Sequence, residues 1–284
     1  MEHQFTLTRP TTVLRGNGLH TGKQASVRLW PAPVGTGLVF RRSDLAGSPD
    51  IPALVESVES TVRCVALAKG GARVSTVEHV LAACVLAGLD NAVIAVEGDE
   101  LPAGDGSALL FLEMVETAGL TEQGEARSFI FPVRRIESGT GGARVSAEPS
   151  NKPEIRFRFS DAGKYGGQEV ALGVGGISVR DVACARTFCY EDEIEALRAR
   201  GLGQGGSLEN VLVLRRDGSS LNESRGELEP VRHKLLDLIG DLALAGAGIR
   251  ARIIAEGTGH AGHVEFVRAL AGASEKMEVE KTNA

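Results

Sequence analysis

The sequence predicts two related α+β domains, each contributing one helix to a shared cleft. Three observations carry that prediction. The first is patterning. Residues 25–29 and 38–41 alternate apolar and polar side chains with the period of a half-buried strand, whereas residues 76–87 and the stretch after Arg232 keep helical spacing. The second is a repeated unit. His79 leads to Leu86-Ala87-Gly88, a strand and Val96-Glu97-Gly98. His233 leads to Leu244-Ala245-Gly246, a strand and Ala255-Glu256-Gly257. The second helix is longer by about one turn. The third is a break: residues 120–128 are polar and hold no apolar run. The expected division is an N-terminal domain at 1–122, a C-terminal domain at 128–272 and a mobile tail at 273–284.

The elements follow in order. Two period-two strands at 25–29 and 38–41 precede a helix over 76–87 that stops at Gly88. Ser75 is a plausible N-cap for it, with Glu78 completing a capping box. Residues 92–96 are apolar throughout and read as a buried strand. A second helix is expected over 109–117, ending near Gly119. Residues 192–198 read as a short amphipathic helix with Ile194 and Leu197 on one face. The chain has 36 glycines, about twice the average share, clustered as doublets that read as turns. None of them forms a dinucleotide or phosphate-loop fingerprint.

The chemistry concentrates on the helix after Arg232. Residues four apart on a helix share a face, so His233, Asp237 and Asp241 form one polar stripe among Leu235, Leu236, Leu238 and Ile239. Unpaired polar burial costs several kcal/mol, about 2–7 per group. A divalent metal would resolve that cost, since imidazole and carboxylate are both good zinc ligands. A satisfied His–Asp pair on a helix surface has the same pattern. His79 is a candidate third ligand, and Glu78 beside it a candidate general base; helical zinc motifs use the same adjacency. Two histidines and one carboxylate leave a coordination position open, as catalytic zinc sites do. Residues 257–263 read as a glycine-rich loop with two histidines, His260 and His263, and such a loop can place an imidazole beside a metal without ligating it.

Composition narrows the class. The chain has 284 residues, 43% hydrophobic and 24% charged, and a net charge of −6. That balance argues against nucleic-acid binding, whose footprint is basic. It contains no apolar run of transmembrane length and no signal-peptide pattern at its start, so a cytoplasmic protein is expected. Cys64, Cys84, Cys184 and Cys189 contain no C-x-x-C pair and are expected to be reduced and mostly buried.

Motifs along most of the chain resemble one family. They include Gly16-Asn17-Gly18-Leu19-His20-Thr21-Gly22, Phe40-Arg41-Arg42, Ser75-Thr76-Val77-Glu78-His79, Asp105-Gly106-Ser107, Ala185-Arg186-Thr187-Phe188, Gly205-Gly206-Ser207, Arg232-His233-Lys234 with Asp237 and Gly240-Asp241, and Gly259-His260. Over roughly residues 3–272 the chain is similar to the zinc-dependent UDP-3-O-acyl-N-acetylglucosamine deacetylases of lipid A biosynthesis. The resemblance implies two related domains, each a sheet packed on helices, with the active site between them. It implies Zn²⁺ held by His79, His233 and Asp237, Glu78 as general base, Thr187 and the metal stabilising the oxyanion, and His260 protonating the leaving amine while Asp241 orients it. It further implies Lys234 near the nucleotide phosphate, Phe188 against the sugar, and an acyl channel along Leu19, Ile194, Gly206 and Leu208 in an insert at about 180–208. The expected substrate is an acylated UDP-amino sugar and the expected state a monomer.

Two departures concern the substrate more than the reaction. His263 stands where relatives often carry Asn, and Ser160-Asp161-Ala162-Gly163 stands where a His-Pro pair is usual. The glycine-rich stretch 163–176 is expected to reshape the nucleotide region. A deacetylase of another acylated amino sugar, or a binding protein without turnover, are the alternatives.

Overall fold

The computed structural model describes residues 3–159 and 167–278. Two five-stranded sheets dominate it, and they share one topology. The first runs edge to edge as Leu14–Asn17, Gln24–Pro31, Ala92–Glu97, Leu38–Arg42 and Asp50–Pro52. The second runs as Ile136–Thr140, Ala143–Glu148, Arg252–Glu256, Glu154–Arg158 and Glu169–Leu172. In each, the last strand of the chain segment inserts at the centre, antiparallel to the second strand and parallel to the third. The repeated motif in the sequence is therefore a repeated supersecondary unit.

Among the described residues, six α-helices accompany the sheets: α1 (Glu78–Ala87), α2 (Leu109–Ala118), α3 (Val179–Ala183), α4 (Ile194–Ala199), α5 (Glu229–Leu242) and α6 (His260–Ala273). Helix α1 feeds the central strand of the first sheet, and α5 feeds that of the second. Both connections pass through a left-handed glycine, Gly88 at φ 79° and Gly246 at φ 68°. A residue with a Cβ is strained in that conformation, which is why the Leu-Ala-Gly signature marks both ends. A single 3-10 turn, Ala243–Ala245, extends α5 before its glycine.

Four expectations are corrected. Ser75 does not cap α1: the helix starts after Val77 without a side-chain cap, and Ser75 Oγ donates to the Asp99 carbonyl at 3.0 Å. The polar stretch after residue 119 is a strand, Leu120–Ala126, antiparallel to His3–Leu7, so its polarity reflects the exposure of its own side chains. The tail begins as a strand, Ser274–Glu278, antiparallel to Ser128–Pro132. The segment 192–198 divides into a 3-10 turn, Glu191–Glu193, and α4. The substitution of Ser160-Asp161-Ala162-Gly163 for a His-Pro pair lies outside the described residues, as does the first part of the 163–176 stretch.

One apolar core joins both halves, running from Val27 and Ile94 through Leu81, Leu235 and Leu236 to Ile253 and Phe266. Leu235, Leu236 and Leu238 are wholly buried, each worth roughly 1.5–3 kcal/mol of transfer free energy. At the α1–α5 crossing, the backbone of Gly240 lies against that of Glu78, and any Cβ there would overlap the Glu78 carbonyl. This contact sets how closely the two helices bring their side chains together.

Candidate active site

The start of α1 is strained. Thr76 is buried and sits at φ 59°, a conformation that β-branched residues avoid, at a cost of about 1–3 kcal/mol. Its hydroxyl donates to Glu100 Oε1 at 3.0 Å, and Glu100 also accepts from the His20 and Thr21 backbone, at 2.8 Å each. These bonds hold the turn that delivers Glu78 and His79 to the interior. Glu78 Oε2 accepts from the Val65 backbone at 3.0 Å, and its Oε1 lies 3.7 Å from His260 Nε2. Burial dominates this carboxyl and pushes it up to about 7.

Facing it, α5 presents His233 and Asp237. His233 Nδ1 donates to the Ala185 carbonyl at 3.1 Å, which fixes the tautomer and leaves Nε2 with a free lone pair. That Nε2 lies 3.3 Å from Asp237 Oδ1, and His79 Nε2 lies 3.8 Å from the same oxygen. The two imidazoles meet edge to face, with centroids 5.1 Å apart. Burial and the neighbouring His233 lower His79 to about 3, so it is neutral. Burial opposes charge on Asp237 as well, but His233 and Lys234 outweigh it and hold the carboxylate well below its usual range.

The donor set fits a divalent metal. Its three ligand atoms lie within 4.8 Å of one another and all three residues are buried. Ligands about 2.0–2.1 Å from a tetrahedral ion stand about 3.3 Å apart, and the Asp237 oxygen lies 3.3 and 3.8 Å from the two ring nitrogens. A second buried set, Asp241, His260 and His263, has similar composition. There, however, both ring Nδ1 atoms donate to one oxygen, Asp241 Oδ2, at 2.8 and 2.7 Å. Burial works against protonation of His260, yet Asp241 and Glu78 prevail and raise it to about 9.

These groups open onto a cavity of about 640 Å³. It is lined by Glu78, His79, Thr187, Phe188, His233, Lys234, Asp237 and His260, and by Leu19, Ile194, Gly206 and Leu208. Every site residue expected from the sequence therefore faces one space except Asp241, which is wholly buried behind His260. Leu19 packs with Ala103, Val211, Val213 and Ile194 in a small apolar cluster of its own. Phe188 begins a short parallel pair, Phe188–Tyr190 with Leu212–Leu214, and Thr187 precedes that strand rather than lying in it. Lys234 Nζ donates to Asp237 Oδ2 at 2.7 Å.

Sequence reasoning missed three contributors. His263 reads as part of a loop, but α6 begins at His260 and carries both histidines on its first turn. Their i, i+3 spacing was the available signal. The Lys234–Asp237 pair has the same spacing on α5. The Val65 backbone donor had no signal, because it is brought to Glu78 by the tertiary fold.

No described helix is long and apolar enough to cross a membrane. Comparison with known proteins agrees with the geometry. A model of the family described as UDP-3-O-acyl N-acetylglycosamine deacetylase (LpxC) matches residues 4–272. The protein named UDP-3-O-acyl-N-acetylglucosamine deacetylase of Thermosynechococcus vestitus is 41% identical over 258 residues, 90% of either chain. Proteins of that name from Chlamydia pneumoniae and Shewanella frigidimarina are 37% and 38% identical, covering 92% and 93% of this chain and 94% and 88% of their own. A buried His-His-Asp set between two repeated helices, with a carboxyl and a charged imidazole beside it, thus occurs in a chain that belongs to the UDP-3-O-acyl N-acetylglycosamine deacetylase family.

Proposed function

We propose that this protein hydrolyses the N-acetyl group of UDP-3-O-acyl-N-acetylglucosamine, releasing acetate and the free amine for lipid A biosynthesis. The carrying observation is that His79, His233 and Asp237 converge beside Glu78 and His260 in one buried wall of a cavity. A zinc ion on those three residues would supply a Lewis acid for the acetamide carbonyl and acidify water.

The remaining work falls to the chain. Glu78 takes the proton of the attacking water; a carboxyl raised to about 7 is matched to that task near neutrality. The Thr187 hydroxyl, on the cavity wall, donates to the developing oxyanion. His260 gives its Nε2 proton to the leaving nitrogen, because an amide nitrogen leaves only as a neutral amine. Asp241 binds Nδ1 and so turns Nε2 toward Glu78. Lys234 holds the second oxygen of Asp237, leaving Oδ1 for the metal; contact with a substrate phosphate would compete with that bond. Phe188 offers a ring face to the sugar. The acyl chain runs along Leu19, Ile194, Gly206 and Leu208, where the insert at about 180–208 adds apolar surface to the domain at 128–272.

Free-amine release from UDP-3-O-acyl-N-acetylglucosamine, with and without a zinc chelator, tests this reading. Release that the chelator abolishes supports it. Release from other acylated amino sugars only, or binding without release, replaces it with one of the two alternatives.

A further inference from the structure

Behind the cavity, one side chain is engaged at every polar atom without lining the space itself, and its ring meets that of His260 edge to face, centroids 6.2 Å apart. His263 is wholly buried on the first turn of α6 and does not face the cavity. Its Nδ1 donates to Asp241 Oδ2 at 2.7 Å, and the Thr258 hydroxyl lies 3.0 Å from its Nε2. A carboxylate can only accept, so Nδ1 carries the hydrogen; with the ring neutral, Nε2 accepts from Thr258. Phe157 packs edge-on against the ring, centroids 6.2 Å apart. Asp241 Oδ2 thus receives two imidazole N–H groups, while its Oδ1 has no hydrogen-bond partner among the described residues. The negative charge of a fully buried carboxylate is compensated at one oxygen by two donors, and His263 supplies one of them.

We infer that His263 is a positioning residue for the deacetylation: as part of a Thr258–His263–Asp241–His260 chain, it anchors Asp241 and so holds His260 where it delivers its proton. The inference rests on the proposed role of His260 as acid. If His263 is lost, Asp241 keeps one donor and its charge is shared less. It then binds the His260 proton more tightly and is free to turn about its side-chain bonds. Both changes slow proton delivery to the leaving amine without altering the substrate surface. His260 is also faced by Glu78 and His79 from α1, by His233 and Asp237 from α5, and by His20, so the shift is read against the wild-type profile rather than in absolute terms.

Two variants of the zinc-loaded protein test this. In His263→Leu the donor is gone; in His263→Asn an amide N–H stands near the position of Nδ1. For His263→Leu we expect kcat to fall about 10-fold or more, the scale of outer-shell losses, with KM within about twofold. The basic limb of its kcat profile should move to higher pH. His263→Asn should recover most of the lost kcat and the wild-type limb. Melting temperatures of both proteins, measured with zinc bound, identify a folding defect. A His263→Leu enzyme with wild-type kcat and profile overturns the inference, as does a His263→Asn enzyme equally impaired at equal melting temperature. If His263→Leu fails to fold, the Asn variant decides: a wild-type-like profile supports the donor role and a displaced one refutes it. Absence of deacetylation in the wild type would instead strike the proposed function itself.

Discussion

The two halves repeat one topology but share the chemistry unequally. His79 and His233 occupy matching places in the repeat, each on the helix that feeds the central strand of its sheet. One and two turns beyond His233, α5 carries Asp237 and Asp241. The same steps from His79 fall on Ala83 and Ala87. The fold therefore supplies a pair of imidazoles by symmetry, and the carboxylates come from one helix only. Helix α1 contributes in another way, through Glu78, which the strained Thr76 turn and the Val65 amide hold in place. The difference teaches that repeating a scaffold brings a pair of imidazoles together, while the carboxylates beside them require the two copies to diverge.

The largest effect should follow from breaking the α1 side. Glu78→Ala should keep its metal and lose turnover by about 10² or more, as expected for a positioned base. Metal analysis and steady-state rates on one preparation check it, and normal turnover would remove Glu78 from that role. Breaking the α5 side should act on the metal instead. Asp237→Ala should weaken zinc retention by about 10-fold or more and leave the Lys234 ammonium without its partner, seen by competition with a chelator. Equal retention in wild type and variant would mean Asp237 is no ligand.

The contact between the helices gives a smaller effect. Gly240→Ala forces a methyl against the Glu78 backbone and should lower stability by about 1–3 kcal/mol in denaturant unfolding, with reduced activity. A variant as stable and active as wild type would show that the crossing has slack. The mildest change is in pH dependence. His260 is raised to about 9 because Asp241 and Glu78 outweigh its burial. A protonated acid is lost as pH rises through that value, so activity should fall above about 9. Asp241→Asn removes the larger of the two raising charges, so the basic limb should move to lower pH. An unmoved limb would detach Asp241 from His260 in catalysis.

Much of this was legible before any coordinates. The i, i+4 stripe of His233, Asp237 and Asp241 needs only helical periodicity, and the Leu-Ala-Gly closures needed only the left-handed glycine. What was not legible depended on competition for groups. Ser75 looks like a cap, but the Asp99 carbonyl takes its hydroxyl, and Glu78, the apparent partner in a capping box, is drawn to the Val65 amide. The polar stretch after residue 119 looks like a linker because most of that strand's side chains are exposed or half-exposed, its partner strand His3–Leu7 being the better buried of the two. His263 was hidden by the glycines before it, which read as a loop continuing through the histidines when they mark the start of α6.

The most direct test is anomalous diffraction at the zinc edge from crystals of the purified protein. The account predicts one strong peak within about 2.0–2.2 Å of His79 Nε2, His233 Nε2 and Asp237 Oδ1. A peak centred on Asp241, His260 and His263 instead, or none at full zinc supply, would contradict it.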